Sequence, residues 1–164
     1  MKIRFRDAQK SDVRALRKIE KNSFSTDKYK SSRISLKAFR EYVCSDDYRL
    51  VLAANQQDKV AGYVLVDVSK EDQSAANIDS LAVHSRFRES GVASGLLKQA
   101  FSVASEEGFP AITFEMHENN PVIPALLSTD WVGCSEDYRQ KQYYDDGGTA
   151  IHFIKTFDGP LSDL

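Results

Sequence analysis

The sequence predicts a mixed α/β domain, a β-sheet carrying helices on its faces. Three observations lead to this reading. Apolar residues alternate along some segments and recur every three or four residues along others. Two apolar runs, 49–54 and 60–68, flank a short polar turn, which is a hairpin pattern. A third run ends at Val83 and passes through a small-residue turn into a helical stripe.

Each element follows from local pattern. Lys2 to Arg6 alternates polar and apolar and is expected to be a strand. Ser11 is the expected N-cap of a helix whose apolar face holds Val13, Leu16, Ile19 and Phe24. A polar loop leads to a second helix near 35–45, with Leu36, Phe39 and Val43 on one face. The hairpin of 49–54 and 60–68 follows, then a strand at 78–83. A helix is expected over 91–107, buried through Leu96, Leu97, Ala100, Phe101 and Ala104, and Gly108 supplies its C-terminal stop. Residues 111–116 form a strand and residues near 121–129 a short, proline-interrupted helix. Strands near 131–138 and 149–157 complete the order β-α-α-β-β-β-α-β-α-β-β.

Composition narrows the function classes. The 164 residues suit one domain with a sizeable core. A net charge of -2 argues against a general nucleic-acid binder. No apolar run reaches the length of a membrane span, and the N-terminus has no apolar signal region, so a cytoplasmic protein without membrane contact is expected. Cys44 and Cys134 lie far apart and make no disulfide framework; buried or incidental thiols are expected. The three histidines are scattered, so no metal motif is expected.

The turn after Val83 has a physical rationale as an anion site. A helix starting near Gly91 points its free N–H groups and positive dipole end back toward the strand. That arrangement suits a phosphate or pyrophosphate. Gly91 and Ala93 keep bulk away from the backbone, and Arg86 and Arg88 add charge at the rim. An ordinary strand-to-helix turn remains the alternative. The stretch lacks the Walker pattern and the G-x-G-x-x-G dinucleotide pattern.

The pattern R-x-x-G-x-A, present as Arg88-Glu89-Ser90-Gly91-Val92-Ala93, resembles the coenzyme A pyrophosphate loop of the GNAT superfamily of N-acetyltransferases. Ser80-Leu81-Ala82-Val83 resembles the strand before that loop, Asp7-Ala8 with Ser11-Asp12 its R-x-A-x-x-x-D opening, and Val60 to Tyr63 its xxxGY strand. Thr113 to Asn120 resembles its L-E-V-x-x-x-N strand end. Tyr143 to Ala150 is similar to the YYxDGxDA segment of the branch resembling ribosomal-protein-alanine N-acetyltransferases. The resemblance covers nearly the whole chain. It implies a mostly antiparallel central sheet of about seven strands flanked by helices, in one domain over 1–157 with a short tail at 158–164. It also implies acetyl-CoA as cosubstrate, held by Leu81, Ala82, Val83, Arg86, Arg88, Glu89, Ser90, Gly91, Val92, Ala93, Ser94 and Asn119 or Asn120.

The implied reaction is direct attack of a primary amine on the thioester. The acceptor is a protein N-terminus, a lysine or a small amine, and the protein a monomer or homodimer. Attack needs a base within hydrogen-bond reach. Glu115 is the first candidate, because it aligns with a glutamate given that role in the resembling branch; an exposed strand carboxylate is its plain alternative. Asp79 is second. His117 has a suitable side chain, but a lone histidine at a strand end is expected to be simply exposed. A backbone N–H near Leu81–Val83 is the expected oxyanion donor. Leu126 stands where the family has the tyrosine commonly assigned to protonate the coenzyme A thiolate, with Asp130 and Trp131 replacing its glycine and phenylalanine. The general acid is therefore left open among Tyr143, Tyr144, Ser128 and a water. Tyr143 and Tyr144 are otherwise core or rim aromatics. Asp145-Asp146 is expected to be a turn; with Glu118 and Asp27 it could attract a cationic acceptor. Leu126 also admits a second reading, a coenzyme A-binding sensor or interaction domain with weak or no catalysis. A third, an unrelated phosphate-binding α/β protein, predicts no preference for coenzyme A over nucleotides.

Overall fold

The computed structural model describes residues 2–24, 33–71, 73–121, 123–124 and 134–157. The chain enters through strand β1 (Arg4–Asp7), passes a 3-10 turn at Lys10–Asp12 and forms helix α1 (Val13–Ser23). Ser11 does not cap this helix as expected; it lies inside the 3-10 turn. The closing group is Asp12, whose Oδ2 accepts the Gln9 N–H at 2.7 Å. The same carboxylate takes both prongs of Arg6, at 2.8 and 3.0 Å. Burial would raise the Asp12 carboxyl, but Arg6 and the Gln9 N–H outweigh it and hold it below the usual range. The two ends of the R-x-A-x-x-x-D opening are thus one bidentate pair joining β1 to α1.

Helix α2 (Leu36–Cys44) begins where Ser35 accepts the Ala38 N–H at 3.1 Å. Strands β2 (Tyr48–Ala54) and β3 (Val60–Asp67) form the expected hairpin; Asn55 Oδ1 accepts the N–H groups of Gln57 and Lys59 across its turn. Strand β4 (Ala76–Val83) leads to helix α3 (Val92–Glu106), strand β5 (Ala111–His117) and the strands β6 (Ser135–Gln140) and β7 (Ala150–Thr156). Between β4 and α3 lies a 3-10 turn at Ser85–Phe87 that periodicity did not reveal, pinned by buried Phe87. Gly108 at φ 86° ends α3 in the left-handed conformation that glycine adopts cheaply. The expected helix near 121–129, including Leu126 and Ser128, falls largely outside the described residues. So do Asp130, Trp131 and the tail at 158–164.

The seven strands form one sheet in the order β1-β2-β3-β4-β5-β7-β6, antiparallel except for β4–β5. Side chains alternate between two cores. Val51, Ala53, Val64 and Val66 join α3 on one face; Leu50, Leu52, Tyr63 and Leu65 join α1 and α2 on the other. Gly95 lets α3 approach β1, since a Cβ there would run into the Phe5 ring. Cys44 is exposed, because it ends a helix on its open side, and of the two expected descriptions it is the incidental thiol. Cys134 is half-buried, and burial pushes its thiol up to about 11.

Two irregularities set up the site. The parallel ladder of β4 and β5 pairs only Ala76 with Ile112 and Asn77 with Thr113, although both strands run on, to Val83 and His117. In the β3–β4 ladder Leu65 pairs with Ser80 and Val66 with Ile78, so Asp79 is an extra, unpaired residue. Such a bulge bends its strand. Beyond it β4 and β5 part, and the sheet opens in the middle.

Candidate functional site

The opening holds a cavity of about 350 Å³. Its walls come from both faces of the sheet: Ala93 and Leu97 of α3 on one side, Glu20 of α1 and Phe24 just after it on the other. It therefore crosses the sheet between β4 and β5. Two mouths of different chemistry result.

On the α3 side the site is made by backbone. Gly91 caps the helix at φ 81°, with no side chain bonded to the first turn and no acidic residue in it. Glu89 also has a positive φ, 61°. The two left-handed residues turn the chain sharply, so the N–H groups at the start of α3 point out of the helix end. The Ser90 hydroxyl is turned inward and donates to the Phe87 carbonyl. Val92 is buried in the α3 core, so only its backbone is available; Ala93 lines the cavity and Ser94 is half-buried. Leu81 lines the cavity, Ala82 is buried on the α1 face and Val83 packs toward α3. Arg86 is exposed. Arg88 lines a separate hollow of about 230 Å³ shared with His84, Ile19 and Asn22. Neither arginine lines the main cavity, and burial with its cationic surroundings lowers the His84 imidazole.

On the α1 side the site is made by side chains. Glu115 of β5 faces the cavity and accepts a hydrogen bond from the Tyr143 hydroxyl at 3.2 Å. Burial and the nearby Glu115 raise the Tyr143 phenol. Asp79, the bulge residue, opens into the cavity from β4. The surrounding protein raises its carboxyl, opposed by the Asn77 amide, which donates to it at 2.7 Å. Tyr143 is 42% exposed at the rim and meets Tyr144 edge to face at 5.0 Å. Asn120 lines the cavity, whereas Asn119 is exposed outside it.

His117 is not exposed as expected but only 4% accessible. Its Nδ1 accepts the Asn119 N–H at 3.1 Å, so the ring proton sits on Nε2 and faces Asp146 at 3.0 Å. Tyr144 lies against the same ring at 4.9 Å. The histidine thus clamps the β6–β7 turn, and Asp146 is its partner rather than part of an open acidic patch. Asp145 does line the cavity; Glu118 accepts the Thr149 N–H. Asp27 falls outside the described residues.

Sequence reasoning missed Glu20. It lies one turn before the end of α1, 1% exposed, and its carboxylate reaches the cavity. It accepts the Ile34 N–H at 2.9 Å and the hydroxyl of buried Tyr63. Burial pushes its carboxyl up to about 7. The available signal was its place in the apolar stripe, next to Ile19. Among the described residues the cavity is lined by four carboxylates, Glu20, Asp79, Glu115 and Asp145, and by no lysine or arginine. Carboxylates at this end attract a cationic group, and the N–H groups at the start of α3 attract an anionic one.

The acetyltransferase (GNAT) family model matches residues 13–127. A search of curated protein sequences finds no match. Among solved structures, the chain is similar to the ribosomal-protein-S18-alanine N-acetyltransferase from Escherichia coli, with a TM-score of 0.79, 19% identity and 99% of each chain covered. It is similar to the ribosomal-protein-alanine N-acetyltransferase from Brucella melitensis, with a TM-score of 0.79, 18% identity, and 94% of this chain and 99% of that one covered. It also matches a chain of a NatC complex bound to Gag peptide and coenzyme A, with a TM-score of 0.76, 19% identity, and 96% and 99% covered. No described helix is long and apolar enough to cross a membrane.

Proposed function

The chain belongs to the acetyltransferase (GNAT) family, and on that premise we propose that it transfers the acetyl group of acetyl-CoA to the α-amino group of a peptide or protein N-terminus. The observation that carries this reading is the cavity through the sheet, with helix N–H groups at one mouth and carboxylates at the other. The loop of Arg88, Glu89, Ser90, Gly91, Val92, Ala93 and Ser94 would hold the pyrophosphate through backbone N–H groups, with Arg86 adding charge from outside. The thioester would lie along Leu81–Val83, where β4 has lost its β5 partner and its backbone is free to bond a ligand. A backbone N–H there would hold the carbonyl oxygen as it becomes an oxyanion.

The amine enters from the α1 side. It arrives as an ammonium, attracted by the carboxylates, and must lose a proton before it attacks. Glu115 takes that proton directly or through one water. Its bond to Tyr143 fixes the carboxylate at the rim. Asp79, across the splay, contributes charge to the same mouth. An α-amino group, with a pKa of about 7.7–8.0 against about 10.4 for lysine, makes the smaller demand on a carboxylate base. That difference, and the activity of the alanine N-acetyltransferases of similar fold, favour an N-terminal acceptor.

The test is calorimetry with acetyl-CoA on the wild type and on Gly91→Asp, followed by turnover over N-terminal peptides, amino-blocked lysine peptides and polyamines. Binding that is lost in the variant, with turnover of the N-terminal peptides, is the expected result. Binding without any turnover would leave a coenzyme A-binding domain. No binding by the wild type would remove the acetyltransferase reading.

A further inference from the structure

Glu20, Tyr63 and Ser80 come from three elements, α1, β3 and β4, and meet on the α1 face of the sheet. Tyr63 is completely buried, with its ring edge-on to Phe39 at 5.4 Å. Its hydroxyl bonds the Glu20 carboxylate and lies 3.1 Å from Ser80 Oγ. Both Glu20 and Ser80 line the cavity, whereas Tyr63 sits behind the wall and joins them. Ser80 directly precedes Leu81, on the free stretch of β4. A buried carboxylate with no ion pair among the described residues is costly to retain. Arg17 and Arg33 act on it through charge alone, and Asp79, Glu115 and His117 face it from the other cavity walls. A purely structural tie to Ile34 would need only a carbonyl-type oxygen, which an amide supplies.

We propose that Glu20, Tyr63 and Ser80 form a proton relay that serves the leaving coenzyme A thiolate, with Ser80 as the catalytic donor at sulfur and Glu20 as the proton-holding residue behind it. The proposal rests on the acetyltransferase reading above. When the amine nitrogen bonds the thioester carbon, the carbon–sulfur bond breaks and its electron pair leaves on sulfur. The new thiolate would stand beside Asp79 and Glu115, in a cavity where a further negative charge is unfavourable. In its protonated form Glu20 donates to Tyr63, whose hydroxyl then donates to Ser80 Oγ, the reverse of the bond made to the carboxylate; Ser80 gives its proton to sulfur and takes one from Tyr63, which takes one from Glu20. The ammonium proton that Glu115 took before attack passes to solvent at the rim, and Glu115 then takes the second amine proton, released as the amide forms. The cycle ends with Glu20 ionised and Glu115 protonated, and exchange with solvent resets both. Tyr143 is the poorer donor, because its proton is already engaged by Glu115, which holds its phenol in the protonated form. Burial favours the neutral form of Glu20 and outweighs the Ile34 N–H, Arg17, Arg33 and a hydrogen bond from Ser80, so that it stays loaded up to neutral pH.

Two measurements test this. Infrared difference spectra from pH 5 to 9 on the wild type should show a buried carboxylic-acid C=O band that disappears near neutrality and is missing in Glu20→Gln. Absence of that band would overturn the relay whatever the kinetics show. Turnover of acetyl-CoA with an alanine-initiated peptide should then fall in kcat by roughly 10²–10⁴-fold in Ser80→Ala. The fall should be smaller in Glu20→Gln and Tyr63→Phe, with acetyl-CoA affinity kept in all three. The wild-type kcat should decline above about pH 7, and that alkaline limb should vanish in Glu20→Gln. An unchanged kcat and limb in Glu20→Gln, with a wild type that turns over, would overturn the relay alone. A wild type that binds acetyl-CoA but acetylates nothing would overturn the acetyltransferase reading and the relay with it, although the infrared band would persist.

Discussion

The two mouths of the cavity are built on opposite principles. At the α3 mouth the working groups are backbone N–H donors, and side chains matter mostly by being small or absent: Gly91 caps, Ala93 lines and Val92 turns into the core. At the α1 mouth the backbone is only scaffold. Glu20, Asp79, Glu115 and Tyr143 converge there from α1, β4, β5 and the turn after β6. A backbone site tolerates side-chain change but not a change of conformation. A side-chain site tolerates loop change but not the loss of a single carboxylate.

The largest expected effect is at the second mouth. Glu115→Gln should lower kcat/KM by roughly 10²–10⁴-fold while leaving acetyl-CoA affinity unchanged by calorimetry. The mirror experiment is Gly91→Asp, which puts a Cβ at φ 81° and a negative charge on the anion site. Acetyl-CoA affinity should drop about tenfold or more, as a strained left-handed residue costs roughly 1–2 kcal/mol before charge is counted. If both variants lost affinity and turnover alike, the two mouths would not be separable.

A pH series on stability sharpens the comparison. The Glu20 carboxyl stands at about 7 in the folded chain and near 4.5 otherwise. Between those values the folded state keeps a proton that the unfolded chain has lost, so stability falls as pH rises through the window. Replacement by Gln should flatten that fall, read as Tm against pH from 4 to 8. Gly95→Ala pushes a methyl group against Phe5 and should destabilise by about 1–3 kcal/mol, seen in denaturant melts, with the kinetic parameters of the folded enzyme retained. The smallest expected effect is Tyr143→Phe. It removes one rim hydrogen bond of about 0.5–1.5 kcal/mol and should change kcat/KM a few-fold.

The same contrast explains what the sequence discloses. The element order and the α3 loop are legible because they are local: a period, a glycine and a small residue sit within a few positions of one another. The Arg6–Asp12 pair is local too, though its geometry explains a spacing that the residues alone only display. For Glu20 the apolar stripe shows only that it lies on the inner face; its bonding depends on Tyr63 and Ile34, 43 and 14 residues away. His117 was misplaced for the same reason; its partner Asp146 lies 29 residues on. The bulge at Asp79 was invisible because a bulge is a property of two strands in register, and one strand carries no record of its partner's count.

That bulge has a further consequence. Ala76, Ile78, Leu81 and Val83 serve the α3 core, while Ser80 and Ala82 look the other way. Removing Asp79 would leave every one of those side chains on its present side, since strict alternation would then run unbroken from Ala76 to Val83. The passage through the sheet thus sits beside a one-residue insertion into an otherwise regular β3–β4 ladder. One inserted residue bends β4 beside the doorway while the side chains on either side of it stay in phase with the same two cores.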